Sequence, residues 1–165
     1  MKQIVLSLLV DNTPGVLSRV AGLFTRRGYN IDSIAASITQ NPKYSRLTVV
    51  ANGDDIILEQ IVKQLEKLED IVKITKLQDS NSVCRELVLV KVKADKKEKQ
   101  EIIAIADIFR AKIVDVSKGS LIIELTGNVN KISAFIGLLD GFDILEMVRT
   151  GLTGLERGEK IMKVE

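Results

Sequence analysis

The 165-residue chain has no histidine and no tryptophan, one cysteine and two prolines. Without histidine, hydrolytic triads that rest on an imidazole base are excluded. The lone Cys84 cannot form an internal disulfide or a CxxC zinc or iron–sulfur site. One cysteine also fits a reducing compartment, so a cytoplasmic location is expected. Aromatics make up 4% of the residues, so the core must be built from Ile, Leu and Val. No stretch approaches the ~20 apolar residues of a membrane span. The apolar run Ile4–Val10 is short, stops at Asp11 and has no small-residue cleavage site after it. It reads as a buried strand, not a signal peptide. With 24 basic and 22 acidic residues the net charge is only +2. That balance creates no strong field for nucleic acid or anionic lipid, so neither is an expected partner. Any catalysis would have to run on carboxylates, lysine or tyrosine alone.

What is present is a globular pattern, 45% hydrophobic and 28% charged, long enough for one ordinary domain or two small ones. Lys2–Val10 reads as a strand, followed by the turn Asn12-Thr13-Pro14-Gly15. Val16–Gly28 has helical spacing, with Leu17, Val20, Ala21 and Phe24 on one face and Arg19, Arg26 and Arg27 pointing away as solvated charge. Gly28 is a natural C-terminal stop. Asn30–Thr39 and Arg46–Ala51 read as strands around Asn41-Pro42. Asp54 and Asp55 open a second helix with the stripe Ile57, Ile61, Leu65 and Leu68. Ile71–Leu77 is a fourth strand. The polar stretch Gln78–Ser82 reads as a linker, after which the order repeats. Val83–Ala94 is a strand. Lys97–Arg110 is a helix with Ile102, Ile105, Ala106 and Phe109 inward. Ala111–Ser117 and Ser120–Thr126 are strands. Asn130–Asp140 is a helix with Ile132, Phe135, Ile136 and Leu139 inward, and Phe142–Arg149 is the last strand. The tail Gly151–Glu165, with three glycines, is expected to be extended.

The expected class is therefore α+β: two ferredoxin-like βαββαβ domains in tandem, each an antiparallel sheet with helices on one face. The expected boundaries are 1–77, a linker at 78–82, and 83–165. Ser33–Ile38 carries no charge and no proline. As an edge strand it would be open to pairing with another chain, which predicts a homodimer.

Only one segment carries site chemistry. A helix N-terminus offers unpaired N–H groups and partial positive charge, which suits a carboxylate. Gly15 would allow close approach to the backbone. Asn12 supplies a donor and an acceptor, and Ser18, Gly22 and Thr25 form a face of small residues. Asn30 adds another amide. The set suits an aliphatic amino acid better than a polyphosphate, because no GxxxxGK loop is present. Equally, Asn12 or Thr13 could simply cap the helix, with Pro14 in its first turn.

The segment Asp11–Arg19 resembles the opening of ACT domains, amino-acid-sensing modules of metabolic enzymes. Gly22-Leu23-Phe24, Arg27–Ile31, Ser45–Thr48 and Glu59–Leu65 extend the match. With Arg85-Glu86-Leu87, Val90-Lys91-Val92, Ile108-Phe109-Arg110 and Gly151–Gly158, nearly the whole chain resembles the small regulatory subunit of acetolactate synthase (acetohydroxyacid synthase). The resemblance implies an ACT domain at 1–77 and the family's C-terminal domain at 83–165. It implies no catalysis by the chain itself and no cofactor bound to it. It implies stimulation of a large catalytic subunit that carries thiamine diphosphate, Mg²⁺ and FAD, and feedback inhibition by valine held between the ACT domains of a homodimer. The matching positions are Asn12, Gly15, Val16 and Ser18 on one chain, with Asn30 and Ile31 of the other.

Two other readings compete. The βαββαβ order is shared with RNA-recognition domains, which stack bases on aromatics of their central strands. Here the first and third strands of each half read as free of aromatics, and Phe24, Phe109 and Phe135 fall on helices. A stand-alone enzyme would need a nucleophile with a matched base, and none is evident.

Overall fold

The computed structural model describes residues 1–164, so the last residue of the expected extended tail, Glu165, lies outside the described residues. Thirteen elements follow in order: β1 (Lys2–Asp11), α1 (Val16–Arg27), β2 (Ile31–Ile38), β3 (Tyr44–Gly53), α2 (Asp55–Leu65), β4 (Ile71–Leu77), β5 (Ser82–Lys93), α3 (Lys96–Ile108), β6 (Lys112–Val116), β7 (Ser120–Gly127), α4 (Val129–Leu138), β8 (Ile144–Arg149) and β9 (Thr153–Glu156). They form two compact units. One comprises Met1–Cys84 together with the chain from Leu152 on, and the other Arg85–Gly151. The tail, grouped by its sequence with the second domain, thus packs with the first.

In the first unit the strand order is β2-β3-β1-β4 and every pairing is antiparallel. β1 is central, and its alternation divides the sheet. Ile4, Leu6, Leu8 and Val10 join Val49, Leu47 and Ala51 in the core beneath the helices. Ser7 and Leu9 point the other way. Helix α1 buries Val16, Val20, Leu23 and Phe24. Leu17, expected inward, is instead 48% exposed, because the stripe runs through Leu23. On α2 the stripe runs through Leu58, Ile61 and Leu65, with Ile57 only partly covered. Asp54 caps α2, its side chain accepting from the Ile57 N–H at 2.8 Å. The linker is an ordered turn: Asn81 N–H donates to the Gln78 carbonyl at 3.0 Å, and Asn81 Oδ1 accepts from the Gln78 N–H at 3.1 Å.

The chain's own C-terminal segment lies on part of the helix-free face of this sheet, where Ser7 Oγ donates to Met162 Sδ at 3.6 Å. Ser7, Thr48 and Val50 on that face are buried. β9, which the sequence reading leaves as undivided extended tail, pairs with β5. Gly154 fits against Cys84 and Leu77, and Arg157 N–H donates to the Asn81 carbonyl at 2.7 Å.

The second unit repeats the pattern in the order β6-β7-β5-β8, again antiparallel. Val88, Val90 and Val92 alternate inward against Ile102, Ala106, Ile132, Phe135 and Leu139. Asp95 and Glu98 form a capping box on α3. Glu86, only 5% exposed, accepts two hydrogen bonds from the Arg149 guanidinium at 2.7 and 2.8 Å.

Candidate functional site

The candidate turn joins β1, at the centre of the sheet, to α1. Asp70 and the β2–β3 hairpin brace it from two sides. Asp11 N–H donates to the Asp70 carbonyl at 2.9 Å, and Asn12 N–H donates to the Lys43 carbonyl at 2.8 Å. The Asn12 side chain donates to the Pro42 carbonyl at 2.9 Å and accepts from Ser45 Oγ at 3.2 Å. Asn12 therefore anchors the hairpin, with the second amide hydrogen and second lone pair left over.

Neither Asn12 nor Thr13 caps α1, and Pro14 precedes the helix rather than starting it. The N-cap is Gly15, in the left-handed region at φ 85°, with no side-chain hydrogen bond to the helix. A β-carbon there would meet Arg19 Nη1 at 2.8 Å. The first helical hydrogen bond runs from Arg19 N–H to the Gly15 carbonyl at 3.0 Å. The N–H groups of the first turn, Val16 to Ser18, stay available to an outside acceptor. The Val16 side chain is buried, whereas Ser18 is exposed.

Arg19 is not idle solvated charge. Its Nε and Nη2 donate to Asp70 at 2.5 and 3.0 Å, and Nη2 also reaches the Pro14 carbonyl at 3.4 Å. The guanidinium holds the Asp70 carboxyl below the usual aspartate range, chiefly through that hydrogen bond. The sequence offers no route to Asp70, which lies 51 positions from Arg19.

Asn30 and Ile31 stand far from this turn within one chain. Asp11 pairs with Tyr44, whereas Ile31 pairs with Ala51, which pairs with Ile4. From Ile4 to Asp11 the strand covers roughly 23 Å at about 3.3 Å per residue. The end of β2 nearest the turn is Ile38, which is 61% exposed. Asn30 is oriented by Asp32, whose Oδ1 accepts from Asn30 Nδ2 at 2.9 Å. Asp32 also accepts from Asn52 Nδ2, and it sits at the irregularity in β2 between Ile31 and Ser33. Ile31 packs its half-buried side chain against the first core.

The aromatic positions bear on the RNA reading. Tyr44 does begin β3, contrary to the expectation of an aromatic-free third strand, but it pairs at the sheet's end with Asp11. Phe24 and Phe135 are buried in the two cores, and Phe109 packs partly covered against the second. Among the described residues no row of aromatics crosses either sheet.

A split-βαβ antiparallel sheet with two helices on one face is an ACT-like ferredoxin fold, used here twice over in tandem, and only the first copy enters its helix through a bare glycine. Residues 6–73 match the family described as the AHAS small subunit-like ACT domain, and residues 85–158 match the small subunit of acetolactate synthase. A probable acetolactate synthase small subunit from Methanothermobacter thermautotrophicus is 50% identical, with 96% of this chain and 95% of the relative covered. One from Archaeoglobus fulgidus is 48% identical over 94% and 97%. The crystal structure of the acetolactate synthase small subunit from Thermotoga maritima superimposes with a TM-score of 0.87 at 44% identity, covering 97% of this chain and 100% of that one. The chain belongs to the acetolactate synthase small-subunit family. That family places it in branched-chain amino acid biosynthesis. Among the described residues no helix is long and apolar enough to cross a membrane.

Proposed function

We propose that the chain is the regulatory subunit of a cytoplasmic acetolactate synthase, pairing as a homodimer through its ACT domains and binding valine at that interface. The large subunit then carries the chemistry, with thiamine diphosphate, Mg²⁺ and FAD, while this chain binds no cofactor, stimulates turnover and imposes feedback inhibition.

The observation that carries the reading is the separation of the two half-sites along one sheet. β2 is an edge strand without charge or proline from Ser33 to Ile38, a natural site for strand addition. If β2 pairs antiparallel with β2 of a second copy about a two-fold axis, the start of one strand comes level with the end of the other. Asn30 and Ile31 of that copy then arrive beside Ile38 and the Asn12–Ser18 turn of the first. Exposed Leu17 and Ile38 gain apolar cover in the process. The ligand carboxylate takes the N–H groups of Val16 to Ser18 at the positive end of α1. Gly15 leaves the backbone open to close approach. Asn30 and Ile31 of the second copy close the pocket over the ligand.

Reconstitution with the cognate large subunit tests the whole reading. The chain should raise acetolactate formation, and valine should lower it saturably. Calorimetry on the chain alone should show valine binding to the dimer. A flat trace with valine, leucine and isoleucine alike would sink the effector assignment. Acetolactate formation from pyruvate by the chain alone, supplied with thiamine diphosphate, would overturn the non-catalytic role.

A further inference from the structure

The helix-free face of the first sheet holds a second cavity that the valine reading does not use. Between the sheet and the returning C-terminal segment lies a space of about 360 Å³. That volume suits a small molecule. Ser7, Thr75 and Leu77 line it from the sheet, and Leu155, Ile161 and Met162 from the tail. Met162 also borders an adjoining space of about 190 Å³, which shares the Arg46 wall.

The chemistry centres on Arg46. Its Nη1 donates to Ser7 Oγ at 2.9 Å, and Ser7, fully buried, donates in turn to Met162 Sδ at 3.6 Å. Those contacts fix the guanidinium plane but use one of its five donors. Among the described residues no carboxylate comes within ion-pair range of Arg46. The other two guanidinium groups that line up on acids, Arg19 and Arg149, each engage one through two donors. Arg46 is half-buried, and a cation withdrawn from water without a counter-charge is unfavourable. Lys160 adds a second positive charge at the cavity and Glu156 one negative, leaving a local excess of one positive charge. Ser7, Gln40 and Thr75 add uncharged polar groups, and Leu77, Leu155, Ile161 and Met162 supply the apolar part of the wall.

We propose that this cavity binds a small aliphatic monocarboxylate, its carboxylate on the free edge of Arg46 and its hydrocarbon part against Leu77, Leu155 and Met162. A guanidinium presents paired donors to a carboxylate. A single net positive charge, with the Glu156 carboxylate also at the cavity, disfavours a phosphate dianion. The occupant would bridge β3 and the tail, holding residues 155–162 on the sheet. The site is independent of the Asn12–Ser18 turn, which lies at the end of the sheet and feeds a helix on its other face.

The test uses the full chain labelled with ¹⁵N and isobutyrate as the probe. Saturable shifts are expected at Ser7, Arg46, Thr75 and Lys160, with isobutylamine and inorganic phosphate producing none there. Arg46→Met should weaken isobutyrate binding at least about ten-fold, and Lys160→Gln, on the exposed tail, several-fold. Gly15→Asp, which blocks the turn, should leave it unchanged. The proposal is overturned if isobutyrate moves only Val16 to Ser18, if phosphate competes equally, or if both Arg46→Met and Lys160→Gln bind isobutyrate as tightly as the parent. Shifts confined to Val16 to Ser18 would favour a carboxylate at the turn while sinking the cavity, and the other outcomes leave valine at the turn untouched, so the two failures are distinguishable.

Discussion

Replacing Gly15 by alanine should destabilise the first unit more than the same replacement at Gly28, and the difference isolates one contact. Both glycines are left-handed, at φ 85° and 67°. Both lie in the first unit, so they report on one transition. An L-residue held in that region costs about 1–2 kcal/mol. At Gly28 a β-carbon meets no atom within 4 Å, so Gly28→Ala carries the backbone strain alone. At Gly15 it meets Arg19 Nη1 at 2.8 Å. The end of an arginine would normally swing aside at little cost. This one is held by Asp70 through two hydrogen bonds, and moving it disturbs the clamp on the turn. In a unit of this size each kcal/mol lowers Tm by roughly 4–8 °C. Gly28→Ala should therefore lower Tm by roughly 4–16 °C, and Gly15→Ala by more.

Scanning calorimetry of Gly15→Ala, Gly28→Ala, Arg19→Gln and the Arg19→Gln/Gly15→Ala double variant completes the experiment. In the Arg19→Gln background the obstructing Nη1 is gone, so the alanine at position 15 should cost no more than the one at 28. Equal costs for Gly15→Ala and Gly28→Ala in the parent would refute the pinned-guanidinium argument. A Tm unmoved by either would refute the strain argument as well. Under the valine reading Gly15→Ala also weakens binding, because the new methyl stands where the ligand approaches the helix end.

Asp70→Asn should flatten the acid limb of stability. The carboxyl is held below its ordinary value, near 3.9, so its contribution is present above that pH and is lost as pH falls through the lowered folded value; parallel acid limbs for parent and variant, measured by Tm against pH, would refute this. Ser33→Lys/Ser37→Lys places two charges on the edge strand and should convert a dimer to a monomer in light scattering, with valine affinity falling alongside; an unchanged dimer would remove β2 as the interface. Gly154→Ala puts a methyl 2.6 Å from Cys84 Sγ and 2.9 Å from Leu77 Cδ1, an overpacking of about 1–3 kcal/mol, which should be read as faster proteolysis of the tail. Arg149→Met strips the buried Glu86 carboxylate of its two donors and should cost the second unit about 2 kcal/mol in urea titration.

Most of the fold was legible because local pattern and tertiary burial agree. β1 alternates into one core, and β4 and β7 begin where the hydrophobic period changes. The misplacements have physical causes. Leu17 occupies a helical position compatible with two stripes, and only packing against α2 and the sheet selects the one through Leu23. Ile57 and Leu58 differ by 100° around α2, and the sheet chose the latter. The tail follows the second domain in sequence, and chain order alone does not reveal that it packs with the first. Its glycines and alternating apolar residues carry no sign that the chain returns to Ser7 on the first sheet. The candidate site was half legible. A glycine before a helix can be read from one segment, but Arg19 on Asp70, Asn12 on Pro42 and Asn30 on Asp32 depend on which segments the sheet brings side by side. The turn therefore looked like ordinary capping, whereas its N-cap is bare and its asparagine faces the hairpin.

That arrangement has a thermodynamic consequence. If the half-sites sit at opposite ends of each sheet, a monomer presents the N–H groups of α1 without the amide that closes over the ligand. Its valine affinity must then be weak, however well the turn is formed. Whatever valine gains from Asn30 and Ile31 of a second copy appears equally as tighter pairing of the β2 edges, because the two equilibria share one free energy. At saturation valine should thus lower the dimer dissociation constant by the square of the factor by which dimerisation raises its affinity per site, because the two-fold dimer carries two such sites. Sedimentation equilibrium with and without valine, set against calorimetric affinities measured above and below the dissociation constant, yields the two factors independently. Factors of one in both measurements would place the ligand wholly within one chain and leave the exposed edge of β2 to serve some purpose other than completing the site.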